Sequence, residues 1–531
     1  MFHDARTLPA GTVLEAELCI VGGGAAGITL AHALRARGFR VLLLESGGME
    51  LEEPTQALYA GEQRGVVMQD LDAIRLRYFG GTTNHWAGWC RPLDAHDFRP
   101  PDPADPRRWP FGREELDPYY AAAHKLLGLG PLEYDVLEPW LAESGMTALA
   151  LDPKRLRTAL VQMSGTRFGP EFTPMLEPSR TVDVWLHANV LELQTDATAS
   201  RITGLRARSL QGAEFRVTAR LFVLATGGLE NARLLLLSNR TQPAGLGNAN
   251  DVVGRYFMDH PWLADLGYIA FNDAARDLRL YLDQTEARGT TIFGTLAPAM
   301  PEPGVGGFRV LLRPSRRVIE GVGALKSIGG DIARLRWPRQ FWSKLGSAFT
   351  DYDAVVDSTY KTIFGVRKSP FGVPERLDAP IVGAHLDINV EQIPDRNSRI
   401  TLAQSRDALG QNRIMLDWRP GVAEKRTMRR AAELVGLEMG RLGVGRLRAN
   451  NLGDTDSWPA DLQGSRHHMG TTRMSDSPRT GVVDAQCRVH GVANLYIAGS
   501  SVFPGAGFAN PTLTIVALAL RLGDELARQL A

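Results

Sequence analysis

Cysteine is scarce in this chain: there are three in 531 residues, Cys19, Cys90 and Cys487, and no two form a C-x-x-C pair. That scarcity excludes a disulfide framework, and the spacing excludes a zinc site, an iron–sulfur relay and c-type haem attachment. Net charge is nearly absent as well, at +1, which leaves no electrostatic footprint for a nucleic acid or a strongly acidic partner. No run of about 18 apolar residues occurs, so no transmembrane segment is expected. The opening "MFHDARTLPAGTVLEAE" lacks the apolar core of a secretory signal. A cytoplasmic protein with a small-molecule ligand is the expectation. The 44% hydrophobic and 22% charged residues are ordinary for a globular chain, and its length implies two or more lobes.

What is present begins with "AELCIVGGGAAGITLAHALRARGFRVLLLESG", residues 16–47. Leu18 to Val21 suits a buried strand, Ala26 to Arg37 has helical spacing, and Val41 to Leu44 is a second buried run. Gly22, Gly24 and Gly27 fall in and after the turn between them. The first permits a tight turn, the second lets backbone approach a pyrophosphate, and the third lets helix and strand pack closely. Glu45, at the end of the next strand, is placed to accept hydrogen bonds from ribose hydroxyls. The helix N-terminus would face the phosphates with its unpaired N–H groups. This pattern predicts dinucleotide binding.

A simple nicotinamide enzyme would continue its βα units directly. Here the pattern breaks after Gly47 into "YFGGTTNHWAGWCRPL" and the loop "RPPDPADPRRWPF", and the strand of "RLFVLATGGLENARLLLLS" arrives only at Arg220. Long insertions of this kind point to a flavoprotein.

These segments together resemble the glucose–methanol–choline (GMC) family of FAD-dependent oxidoreductases, with the branch of pyranose oxidases and bacterial sugar dehydrogenases most similar. The resemblance rests on the N-terminal glycines, on Gly80 to Trp86, on Ala225 to Gly228, on "LHANVLEL" at Leu186 to Leu193, and on the block from His467 to Leu520 containing "FANPTLT". It implies an α/β fold class: a Rossmann-like FAD-binding domain with an α+β, sheet-containing substrate-binding domain. The FAD-binding parts would be residues 1–94, 181–261 and 456–531, and the substrate segments 95–180 and 262–455. Beyond the glycines and Glu45, it implies that Gly81, Thr82, Asn84, His85, Val190, Ala225, Gly499, Ser500, Pro511 and Thr512 contact FAD. In the pyranose oxidase branch a histidine of the corresponding loop carries the flavin covalently, and His85 matches it; the alternative is a histidine that packs against the dimethylbenzene edge of the flavin without a bond. No metal is implied.

The resemblance also assigns the adjacent histidines of "GSRHHMGTTRM". The family's catalytic histidine lies three residues before the glycine of a G-T turn, which selects His467, and its partner matches Asn510. The residue types suit alcohol oxidation, since imidazole titrates near neutrality and removes the hydroxyl proton efficiently. An amide fixes the alcohol oxygen without a charge that burial would penalise. Asn510 followed by Pro511 also reads as a helix cap, and His468 as a satisfied structural histidine or a residue that contacts the flavin. Glu391 and Gln392, in "NVEQIP", resemble positions facing the substrate cavity.

The expected function is oxidation of a secondary hydroxyl of a sugar or glycoside, with O2, a quinone or a separate carrier as electron acceptor. The alternatives are a primary or aromatic alcohol as substrate, a lyase that holds FAD only as structure, and a flavin-binding protein without turnover. Residues 313–344 hold eight basic and two acidic side chains with Trp337, Phe341 and Trp342 interleaved. They read as a solvated helix face, or as a lid, an acceptor-docking surface or a membrane-surface patch.

Overall fold

The structure is a computed structural model and describes residues 1–212, 214–272, 277–316, 324–325, 327–328, 341–342, 344–345, 381–450, 452 and 458–531. Most of the basic aromatic stretch 313–344, including Trp337, lies outside the described residues.

The apolar runs of the N-terminal motif become three successive elements: β1 (Val13–Val21), α1 (Ala25–Leu34) and β2 (Val41–Leu44). β1 is half-exposed at its start and buried at its end, as its sequence dictates. The sheet built on it runs Phe2–Asp4, Val182–Leu186, β2, β1, β3 (Glu214–Leu224), Ile202–Arg208, Asn189–Thr195, with Leu495–Ile497 also paired to β3. Its central strands are parallel. Their buried stretches, residues 18–21, 41–44 and 221–224, are correspondingly continuous apolar runs. Helix α2 (Gly227–Leu237) follows β3 directly.

A second sheet, antiparallel throughout, runs Gly445–Ala449, β4 (Pro261–Phe271), β6 (Ile381–Val390), β5 (Phe308–Arg316), Thr290–Pro298, Leu156–Met163, Trp89–Cys90. The short β7 (Gln463–Gly464) adds to β4, pairing Pro261 with Gly464 and Trp262 with Gln463. Trp89–Cys90 and β7 come from stretches that the sequence alone groups with the nucleotide-binding parts. A third sheet joins Glu62–Gly65 to Arg399–Arg406 and Asn412–Trp418. The last helix, α3 (Thr512–Leu530), packs against α1.

One large apolar core runs through both main sheets, from Leu18 and Val223 to Ile388 and Val390. No described helix is long and apolar enough to cross a membrane. Between the two sheets lies the cavity that holds the chemistry.

Candidate active site

The cavity has a volume of about 720 Å³, within the range of cofactor sites. One end is the β1–α1 turn. Gly22 adopts φ +108°, and a side chain there would meet the Ala225 carbonyl oxygen at 2.5 Å. A side chain at Gly27 would meet the Gly22 oxygen at 1.9 Å, so this glycine serves helix–strand packing. At Gly24 a side chain would meet nothing within 4 Å, which leaves open space where the resemblance expects a pyrophosphate. Glu45 is buried, accepting from the Gly23 N–H at 2.8 Å and the Gly47 N–H at 2.8 Å.

Gly22, Gly24, Glu45, Gly81, Thr82, His85, Val190, Ala225, Gly499, Ser500, Pro511 and Thr512 all line the cavity. Asn84 does not: its amide donates to the Phe79 carbonyl at 2.8 Å and accepts from the Gly169 N–H at 2.9 Å, tying the loop to its neighbour. His85 turns an exposed ring onto the wall.

The walls fit an FAD molecule on two counts. The open edge at Gly24 is a cradle that a side chain would fill. Arg77 Nε, Arg309 Nε and His468 Nε2, on lining residues, are buried without a hydrogen-bond partner, as expected where a polar ligand completes a site.

At the other end, strand register assembles the reactive group. Pairing of β4 with β7 sets His260, just before Pro261, against Ser465 and His467. The Ser465 N–H donates to the His260 carbonyl at 3.1 Å. Asp259 lies beneath, accepting from the N–H groups of His260 at 2.7 Å, His467 at 3.0 Å and Arg466 at 3.1 Å. Burial pushes the Asp259 carboxyl up to about 7, against the pull of those N–H groups.

The side chains then form a chain whose direction is forced. The Gly507 carbonyl only accepts, so His260 Nε2, 2.9 Å away, carries a hydrogen. Burial first, and the Arg309 charge second, hold His260 down to about 3, so its ring is neutral. Its Nδ1 is therefore bare and accepts from His467 Nδ1 at 2.9 Å. Burial, with the neighbouring His260, Arg309 and His468, holds His467 well below the usual imidazole range. Neutral His467 thus presents a bare Nε2 at the cavity, 3.1 Å from Asn510 Nδ2. Asn510 Oδ1 accepts from Arg309 Nη1 at 2.7 Å, and a guanidinium can only donate. Both ends demand the same polarity. The chain ends at His467 Nε2, which carries no hydrogen and accepts from Asn510 Nδ2 at the cavity wall.

Asn510 does not cap α3: the helix begins at Thr512 with Pro511 at the cap position and no side-chain bond there. Its amide is committed to His467 and Arg309. His468 is buried but also reaches the cavity wall.

Glu391 and Gln392, expected at the substrate cavity, are instead buried away from its wall, each held by the hydrogen bonds of its neighbours. Glu391 accepts from Arg107 Nη1, the Gly307 N–H and the Gly507 N–H, each at 3.0 Å. Gln392 accepts from Trp418 Nε1 at 2.8 Å and the Asp259 N–H at 3.1 Å. Both support the residues that touch the site. Sequence reasoning missed His260, Arg309 and Asn389. Arg309 pairs with Asn389, and Asn389 with Trp262, in one rung across β5, β6 and β4. Arg309 and Asn389 line the cavity, and the His260 ring lies behind it.

The GMC oxidoreductase family matches residues 394–519, and an NAD(P)-binding Rossmann-like domain matches residues 20–48. The chain is 24% identical to the fructose dehydrogenase large subunit of Gluconobacter japonicus, over 97% of this chain and 98% of that protein. It is 24% identical to paromamine 6'-oxidase of Streptomyces fradiae, over 97% and 92%. The crystal structure of pyridoxine 4-oxidase from Mesorbium loti superposes with a TM-score of 0.58 at 18% identity, covering 96% of this chain and 99% of that one. Taken with the cradle and the walls described above, these likenesses show that residues 394–519 form a GMC oxidoreductase domain, and that the chain is an enzyme similar to those oxidoreductases whose cofactor is FAD.

Proposed function

We propose that this enzyme oxidises a secondary hydroxyl of a sugar or glycoside to a carbonyl, with His467 as the base and Asn510 orienting the alcohol. One observation carries the reading: the directed hydrogen-bond chain that leaves His467 Nε2 bare beside the Asn510 amide. A substrate hydroxyl inserts between the two, donating to His467 Nε2 in place of the Asn510 amide while its oxygen accepts from Asn510 Nδ2. The bound FAD supplies the acceptor for the carbinol hydride. As the proton arrives at His467 Nε2, the ring's Nδ1–H still donates to His260, so no partner has to turn. The cavity's second-sheet wall offers Asn389, Asp387 and Arg313 from alternate positions of β6 and β5, a polar surface suited to a polyhydroxylated ligand. The fructose dehydrogenase likeness over the full chain supports a sugar.

The test is an anaerobic absorbance screen of the holoenzyme against sugars, glycosides and simple alcohols. Bleaching of the flavin by sugars and not by simple primary or aromatic alcohols is the expected result, and admitting air then shows whether O2 re-oxidises it. Bleaching by none of these compounds would overturn the reading in favour of a non-redox role. His467→Ala is expected to slow flavin reduction on the order of 10² to 10⁴-fold, the range for loss of a general base; a parental rate would reject the assignment. Covalent attachment through His85 is tested separately by acid precipitation, where flavin in the pellet supports the link and flavin in the supernatant refutes it.

A further inference from the structure

The guanidinium of Arg309 is 3% exposed and stands on the cavity wall over Trp89, 5.1 Å from the ring centroid. Three other buried arginines of this chain are neutralised, Arg75 and Arg233 by Glu230 and Arg91 by Asp94 and Asp135. Arg309 instead spends its hydrogen bonds on two neutral amide oxygens, Asn510 Oδ1 at 2.7 Å and Asn389 Oδ1 at 3.3 Å. Among the described residues it has no carboxylate within ion-pair distance. A buried charge held this way costs stability. Burial draws its proton affinity down to about 10, which still leaves it charged at neutral pH.

We propose that Arg309 is a positioning residue: it locks the Asn510 amide and holds a fixed positive charge beside the reacting hydroxyl, and it does not bind the substrate itself. This rests on the alcohol-oxidation reading above. The lock follows from donor and acceptor types. A flipped Asn510 would set its NH2 against a donor-only guanidinium and its oxygen against the bare Nε2 of His467, losing two hydrogen bonds and creating two repulsions. The amide that meets the alcohol is therefore held in one orientation before substrate arrives.

The charge acts on both sides of the proton transfer. It disfavours the imidazolium and favours the alkoxide that develops opposite it. The titratable and charged groups facing His467 are His260, His468, Asp259 and Arg309. Arg309 is the cation in this set at neutral pH, and it keeps His467 free to accept a proton below the usual imidazole range. Its loss is expected to move the acid limb of activity to higher pH.

The experiment compares the holoenzyme with Arg309→Met and Arg309→Lys. Two readouts are followed: the limiting rate of anaerobic flavin reduction against pH, using the alcohol that bleaches the parent, and 15N spectra of histidine-labelled protein. Arg309→Met is expected to lower the limiting rate about 10- to 100-fold, the scale of a lost charge-assisted hydrogen bond. Half-saturation should stay near the parental value, the acid limb should move to higher pH, and the single His467 tautomer should be lost from the spectra. Arg309→Lys should return the acid limb to its parental position while restoring the rate only in part.

A parental rate and limb in Arg309→Met would overturn the proposal. So would a raised half-saturation at unchanged limiting rate, which would make Arg309 a substrate ligand. Should the methionine variant fail to hold flavin, Arg309→Gln, which retains a donor without charge, must still move the acid limb. The histidine spectra need no turnover, so they test Arg309 even if His467→Ala proves as fast as the parent and the catalytic reading falls.

Discussion

At the scale of single residues, the site divides into side chains whose neighbours in sequence betray them and side chains whose partners are remote. Gly22, Gly24 and Gly27 are legible because their spacing is a local backbone requirement, and the structure gives each a different neighbour. His467 and Asn510 are legible through their motifs. His260 and Arg309 are not: they bond to His467 and Asn510 across 207 and 201 residues, and nothing local marks a histidine before a proline or an arginine within a strand. Asn510 shows the reverse hazard, since its cap-like sequence hides a side chain pulled away by stronger partners. His260 gives a prediction at this scale. His260→Leu would leave the His467 Nδ1–H buried without an acceptor, a cost of about 1–3 kcal/mol. Flavin reduction measured by stopped flow should slow about 10- to 100-fold, and an unchanged rate would show that His467 keeps its tautomer without help.

At the scale of elements, β1, α1 and β2 were open to a periodicity argument, because each hides one continuous apolar surface. The antiparallel sheet was less so: its strands are gathered from places as separate as Trp89 and Gln463, and cross-strand pairing leaves no mark in either partner alone. Helix α2 has a stability consequence. Glu230, in its first turn, sits at 2.8 Å from Arg75, 3.1 Å from Arg233 and 3.9 Å from Arg77. Burial alone would raise its carboxyl, but the three cations prevail and hold it at about 2, below its ordinary 4.5. A depressed carboxyl stabilises the fold fully above the unfolded value and loses that contribution as pH falls through the folded one. The window is therefore pH 4.5 down to 2, and the loss is about 3 kcal/mol. Melting temperatures across that window should fall for the parent and fall less for Glu230→Gln, which should itself be less stable at neutral pH because three buried cations lose their counter-charge. Equal slopes would show that Glu230 does not govern acid sensitivity.

At the scale of the whole molecule, the cavity of about 720 Å³ separates the two main sheets, so FAD bound there would stand where a core would otherwise close. Stripping FAD is expected to lower the melting temperature, and adding it back to restore it in a concentration-dependent way, by about 4 kcal/mol at a thousandfold excess over Kd; a melting temperature indifferent to FAD would mean the sheets hold each other without it. The same scale connects the exterior to His467. Arg107 follows the exposed Pro/Asp-rich loop 99–106, pairs with Asp105, and reaches Glu391. Glu391 in turn holds the Gly507 N–H, and the Gly507 carbonyl orders the histidines. Such wiring makes the surface loop a tuning peg. Insertions or cuts there are expected to reach the His260–His467 pair through these bonds, which ties the length of a surface loop to the setting of two buried rings.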